Sequence, residues 1–363
     1  MIDVPRTLRS GLVLRNRAAL AAMTNGQSLP DGRLGDDELH WLARRADGGF
    51  GIVTTCAAYV AKDGKAWDGQ LGVDRDDDVE RLARLAARLE GAGAAGMVQL
   101  FHGGVRATRR LTGEQVWSAS AWHEDGEGGE DSEPPRPATE ADLERVIADF
   151  AAAAARCKAA GFRGVELHGA HGYLLTQFMS SVQNTRTDAW GGDLAGRARL
   201  AREVMRAVRA RVGSSFTVGV RLSLESGGQA KGLDLDESLQ IAAWLAADGA
   251  DFIHASLWYA ERTTRKYPDR HPIAMLRAAL PADVALIACG NLWTAADASA
   301  ALDRGADIVA LGRCAIFNPD WPRRATTPGW EPRRPPATPS ELAELAVSPA
   351  FVEYLRHFKG LVA

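Results

Sequence analysis

Eight short apolar runs recur along this chain with amphipathic segments between them, and that alternation constrains the fold more than any other feature. The runs are AALAAM (18–23), GIVTT (51–55), MVQLF (97–101), GVELH (164–168), FTVGVRL (216–222), DFIHAS (251–256), VALIAC (284–289) and DIVALG (307–312). Each is the length of a strand and apolar enough to be buried on both faces. Between them lie DDELHWLARRA, DVERLARLAARLE, EADLERVIADFAAAAARCKAAG, GRARLAREVMRAVRARV, DESLQIAAWLAADGAD and TAADASAALDRGAD. Several open on acidic residues and several stop at a glycine, as helices do. Strands and helices alternating eight times predict a single (β/α)8 barrel. A doubly wound sheet is the competing architecture, but no strand-to-helix turn carries the G-x-G-x-x-G that marks its nucleotide-binding form.

The barrel is expected to occupy residues 1–325, interrupted after the third strand by a long polar loop at 103–138. That loop holds six carboxylates between 124 and 133 and ends in EPPRP. Loops after barrel strands build active sites, so it reads either as a lid over the barrel mouth or as a solvated insertion. Residues 326–363 read as a Pro-rich connector followed by a terminal helix that packs beneath the barrel or against another subunit.

Forty-three Lys and Arg against 46 Asp and Glu leave a net charge of −3, which argues against nucleic acid or an anionic membrane as partner. No run of 18 apolar residues suggests a membrane span, and MIDVPRTLRSG lacks a secretory pattern. Cys56, Cys157, Cys289 and Cys314 form no C-x-x-C pair. The expectation is a cytoplasmic protein with reduced thiols, acting on a small molecule, with a homo-oligomer left open.

The most informative stretch is AGFRGVELHGAHGYLLTQFMSSVQNTRTDAWGGDLAGRARL (160–200). His168 ends the fourth strand, which puts His168, His171 and Tyr173 at the catalytic face, with Glu166 on the same side of the pleat as His168. Two histidines three residues apart can ligate a metal, but no further ligands complete a tetrahedral site, so no metal is expected. They can equally donate hydrogen bonds to an anionic or carbonyl oxygen, or be satisfied within their loop. At the other edge of the mouth, Gly290-Asn291 follows the seventh strand and Gly312-Arg313 the eighth. Barrels often bind phosphate there, where glycine admits close approach and arginine offers a two-pronged donor; ordinary turn glycines are the alternative.

This stretch, with NRAALAAMTNG, MVQLFHGG, VGVRLS and ACGNLWTAADASAALDRGADIVALGRCAIFNPDW, closely resembles the Old Yellow Enzyme family of FMN-dependent ene-reductases over nearly the whole chain. The resemblance implies FMN held without a covalent bond and hydride supplied by NADPH or NADH. It places Ala22, Met23, Thr24 and Ala57 along the flavin, with Ala22 standing where the family usually has proline. Gln99 is implied on the pyrimidine edge, where an amide supplies both donor and acceptor. Arg221 is implied at its anionic side, a buried ion pair with Glu166 or Glu225 being the alternative. Gly290, Asn291, Gly312 and Arg313 are implied at the phosphate. His168 and His171 then hold the carbonyl or nitro oxygen of an electron-poor alkene, Tyr173 protonates its α carbon, and Trp258 or Tyr259 walls the pocket. Arg106 lies one residue late for the family's H-x-G-R. Two enzymatic alternatives stay open: a flavin-dependent amine or ketone dehydrogenase, and a non-redox phosphate-binding lyase or isomerase working through Glu166 and His168. A non-catalytic flavin carrier is a further one.

Overall fold

The computed structural model describes residues 2–121 and 134–363. Eight parallel strands close into a barrel. They are β1 (Ala18–Leu20), β2 (Ile52–Tyr59), β3 (Ala95–Phe101), β4 (Gly164–Gly169), β5 (Thr217–Leu222), β6 (Phe252–Ser256), β7 (Ala285–Cys289) and β8 (Ile308–Leu311). Val309 of β8 lies opposite Ala18 of β1, which completes the ring. The outer layer comprises α1 (Asp36–Asp47), α2 (Val79–Gly91), α3 (Glu140–Ala159), α4 (Leu194–Val212), α5 (Leu235–Ala247), α6 (Pro272–Ala279) and α7 (Ala295–Asp303). The helix α6 was not among the expected segments. Its signal is a local one, with His271 accepting from the Ile273 N–H and proline at the first helical position.

Side-chain alternation divides each strand between two cores. Val98, Leu100, Val165, Leu167, Val218, Val220 and Ile253 face the helices. Ala19, Ile52, Met97, Phe252, Ile287 and Ala310 fill the barrel interior together with Leu8, Leu12 and Leu14 of the N-terminal hairpin, which closes the bottom. Gly219 is required in this layer, since a Cβ there would stand 2.3 Å from the Phe252 ring. The same inward positions turn polar toward the strand ends: Gln99 in β3, Glu166 and His168 in β4, Arg221 in β5, His254 and Ser256 in β6, Cys289 in β7. Register aligns them, with Gln99 opposite Glu166 and Arg221 between His168 and His254.

The loop after β3 is built differently from a plain polar loop. Its described part contains turns at Gly104–Arg106 and Arg109–Thr112, and Trp117–Ser118 pairs with Arg136–Pro137. The acidic stretch 124–133 lies outside the described residues. Buried Asp63, after β2, anchors this loop: it accepts from Trp117 Nε1 at 2.8 Å and Arg145 Nη2 at 2.7 Å and lies 3.3 Å from His102 Nε2.

The terminal segment was expected as one helix, beneath the barrel or against another subunit. It forms two helices, α8 (Pro339–Glu344) and α9 (Pro349–Arg356). Ala346 in left-handed backbone (φ 60°) and Pro349 separate them. Rather than lying underneath, α9 crosses the mouth. Phe351 packs edge-on against Trp41 of α1 at 5.5 Å, and the Ser348 N–H donates to Gln27 Oε1. Among the described residues no helix is long and apolar enough to cross a membrane.

Candidate active site

A cavity of about 330 Å³ opens at the C-terminal ends of the strands. Ala22, Met23 and Thr24 line it after β1, Ala57 in β2, Gln99 in β3, His168, His171 and Tyr173 from β4 and its loop, Arg221 in β5, and Arg313 after β8. Ten of the expected site residues thus converge on one space. Phe351, Tyr354, Leu355, Phe358 and Leu361 form a wall that the sequence pattern did not foretell. The Tyr354 phenol meets the Thr24 hydroxyl.

Gly290, Asn291 and Gly312 stand outside the cavity lining but beside it. Arg313 donates to Asn291 Oδ1 at 3.0 Å, so the loops after β7 and β8 present a guanidinium and an amide side by side and exposed. Gly290 has a packing reason of its own, because a Cβ would lie 2.8 Å from the Leu257 carbonyl. Trp258 is 67% exposed and lies against Gly227 and Gly228 rather than in the cavity wall, and Tyr259 stacks with Arg262. Neither is brought to the site.

The β4 loop is held by strained but satisfied backbone. His171 adopts φ 63°, rare for a residue with a Cβ, and Gly172 follows at φ 77°. The His171 N–H donates to Ser223 Oγ at 3.1 Å. Gln177 satisfies all its groups between two loops, donating to the Gly103 and Gly172 carbonyls and accepting from Val105 N–H and Ser118 Oγ. This fixes Tyr173 between Phe101, at 4.4 Å between ring centroids, and His168, at 4.9 Å. Arg106 lies 5.4 Å over the Tyr173 ring and donates to the His171 carbonyl.

Both histidines are neutral. Burial, with His171 and Arg221 nearby, pushes the His168 pKa well below its ordinary value; burial and Arg221 do the same to His171. The Ala170 N–H donates to His168 Nδ1 at 3.3 Å, so the neutral ring carries its proton on Nε2. His171 Nε2 lies 2.7 Å from Ser256 Oγ, which also accepts from Arg221 Nε. Burial raises the Tyr173 pKa above the usual phenol value against the pull of Arg106, so the phenol keeps its proton.

The ion pair considered for Arg221 is not formed. Glu225 instead accepts from the Arg265 and Lys266 backbone N–H groups, and Glu166 Oε2 is 2.7 Å from His254 Nδ1. Arg221 donates to Ser256 Oγ, to the Ala22 carbonyl at 3.1 Å and to Cys289 Sγ at 3.4 Å. Burying a guanidinium with no carboxylate partner is costly unless an anion joins it. Burial would raise the Cys289 thiol pKa, but Arg221 and His254 outweigh it and bring it down to about 6.

His254 also carries a pH signature. Burial opposes its protonation, yet the Glu166 carboxylate and, after it, Cys289 raise its pKa to about 9, above the ~6.5 of an unfolded histidine. The resulting stabilisation is complete below the unfolded value and is lost as pH rises through 9, with a ceiling on the order of 3 kcal/mol. Urea unfolding of wild type should therefore weaken from pH 6 to 9.5 more steeply than that of His254→Gln; parallel profiles would show that the imidazolium is absent.

Fold and mouth together define a (β/α)8 barrel with a small-molecule cavity at the C-terminal ends of its strands. Residues 4–328 match the NADH:flavin oxidoreductase / NADH oxidase family. The chain is 35% identical over 324 residues to the probable NADH-dependent flavin oxidoreductase YqiG of Bacillus subtilis, covering 87% of this chain and 85% of that one. It is 32% identical over 330 residues to NADH:fumarate oxidoreductase of Klebsiella pneumoniae, covering 88% of this chain but only 35% of that longer protein. The Old Yellow Enzyme homologue of Zymomonas mobilis superposes with a TM-score of 0.82 at 25% identity, covering 95% of this chain and 99% of its own. The chain belongs to the Old Yellow Enzyme family, and as a member it is an oxidoreductase that uses FMN with NADH or NADPH as hydride donor.

The residues present fit that cofactor. The Arg221 guanidinium, beside Cys289 and without a carboxylate, suits an electron-rich ring edge, Gln99 has a carbonyl group to offer the cavity, and exposed Arg313 beside Asn291 suits a phosphate. Replacing Arg313 with Ala should weaken FMN binding about tenfold, the loss of one charged hydrogen bond at an exposed site. Fluorescence titration of the apoprotein measures this; an unchanged affinity would move the phosphate elsewhere.

Proposed function

We propose that this chain reduces carbon–carbon double bonds conjugated to a carbonyl or nitro group. The observation that carries this reading is the neutral pair His168 and His171, ring centroids 5.0 Å apart, with protonated Tyr173 beside them at one cavity wall. Bound FMN supplies the hydride, taken from NADH or NADPH. His168 donates from Nε2 to the substrate oxygen, with His171 as the second donor, and this draws electrons from the double bond. Neutral rings are suited to such donation, because they give up no proton and admit a neutral carbonyl without a counter-charge. Tyr173 gives its phenolic proton to the α carbon as negative charge develops there. Arg221, tied to the Ala22 carbonyl, keeps positive charge beneath the cavity, and α9 limits solvent entry above it. Glu166 is engaged by Gln99 and His254, so it is not placed to serve as acid or base beside His168.

The test is anaerobic. NADH or NADPH should bleach the visible flavin band of the purified protein, and a cyclic enone should restore it with formation of the saturated ketone. Bleaching without recovery by enones or nitroalkenes would confine the chain to another acceptor class.

A further inference from the structure

Behind Gln99 and Arg221 of the cavity lining lies a charged pair that the proposed reaction does not use. Glu166 and His254, from β4 and β6, are each about 2% exposed. Glu166 Oε2 lies 2.7 Å from His254 Nδ1, and Glu166 Oε1 accepts from Gln99 Nε2 at 2.7 Å. Gln99 Oε1 has no such partner, and the Gln99 side chain borders the cavity.

We propose that Glu166, paired with His254, is a positioning residue that locks the Gln99 amide with its carbonyl oxygen toward the cofactor, so that the site requires a hydrogen-bond donor on the facing ring edge. This rests on the reading of the cavity as the flavin site. An ionised carboxylate only accepts, so the group that Gln99 turns toward it must be the NH₂. An amide otherwise has two orientations nearly equal in shape, and in one of them two donors would oppose the N3–H of a flavin. A buried carboxylate without a counter-charge would take up a proton, become able to donate as well, and lose this discrimination. Here burial would raise the Glu166 pKa, but His254, Arg221 and Gln99 hold it below the ordinary value. His254 Nε2 is turned toward Cys289, which favours the imidazolium together with Glu166, and Glu166 is the partner at hydrogen-bond distance.

The lock can be read directly in holoprotein reconstituted with ¹⁵N-labelled FMN, from the N3–H resonance and its exchange with solvent. In the wild type the proton should be hydrogen-bonded and slow to exchange. Glu166→Gln gives Gln99 a partner that both donates and accepts; the resonance should move upfield, exchange faster, and FMN should bind about tenfold more weakly, one net hydrogen bond. His254→Gln leaves the carboxylate in place but removes the larger of its two positive neighbours, Arg221 being the other, and a smaller shift in the same direction is expected, which keeps the test open should Glu166→Gln not fold. Gln99→Leu is the control for the site itself. If Gln99→Leu shifts the resonance while Glu166→Gln and His254→Gln leave it at its wild-type position, the lock is refuted and the site stands. If Gln99→Leu leaves it unmoved, Gln99 does not face the cofactor and the site reading fails with the proposal.

Discussion

Tyr173→Phe is expected to leave reduction of the flavin by NADH or NADPH within a factor of about two and to slow reoxidation by an enone about 100-fold, the usual scale of a positioned general acid. The asymmetry follows from where the proton is needed. Hydride transfer from the nicotinamide consumes no acid, whereas hydride delivery to an alkene leaves charge on the α carbon. Burial holds the Tyr173 pKa above its usual value, so the hydroxyl is protonated throughout the neutral range. The ring is also fixed, packed by Phe101 and His168 and capped by Arg106, and phenylalanine fits the same space. Nitroalkenes should be less affected, because a nitronate is stable enough to leave and be protonated by water. Stopped-flow traces of the two half-reactions decide the matter: equal slowing would make Tyr173 a binding residue, and no slowing would make it a packing one.

The barrel was legible because period and spacing suffice for it, but treating each strand as apolar on both faces hid the polar inward residues of β6 and β7. In β6 the run FIHAS registers as apolar, yet its alternate residues Phe252, His254 and Ser256 point inward. Glu166, His168, Gln99 and Arg221 occupy the same kind of position, and alternation applied to β6 and β7 would have added His254, Ser256 and Cys289 to them. Other parts had no such signal. That α9 lies across the mouth depends on the turn at Ala346 and on Phe351 meeting Trp41, a contact between residues from opposite ends of the chain. Trp258 misled because a strand-end aromatic is as compatible with a rim as with a pocket; here the glycines at 227 and 228 give it a surface to cover. The phosphate edge was half legible: Arg313 reaches the cavity, whereas the Gly290 requirement comes from packing against the β6 loop.

The histidine pair should fail in a different way from Tyr173. Replacing both His168 and His171 with Ala removes the two donors and leaves Arg221 with its Ala22 and Cys289 contacts, so FMN should remain bound. Phenolate anions should bind the wild-type cavity, because two neutral N–H groups can donate to an anionic oxygen and an electron-rich ring can stack on the oxidised flavin. That stacking should give a long-wavelength absorption band, which the double variant should lack. Its kcat/KM for enones should fall by about 1,000-fold, two donors each contributing roughly 2 kcal/mol to a developing oxyanion in a buried site. Single variants separate the donors. His168 holds its Nε2 proton through the Ala170 N–H, so His168→Asn, which keeps one side-chain donor, should retain more activity than His168→Ala. A double variant that still shows the band would place the anion on Arg221, and one that lost FMN along with the band would show that the pair supports the cofactor instead of the substrate.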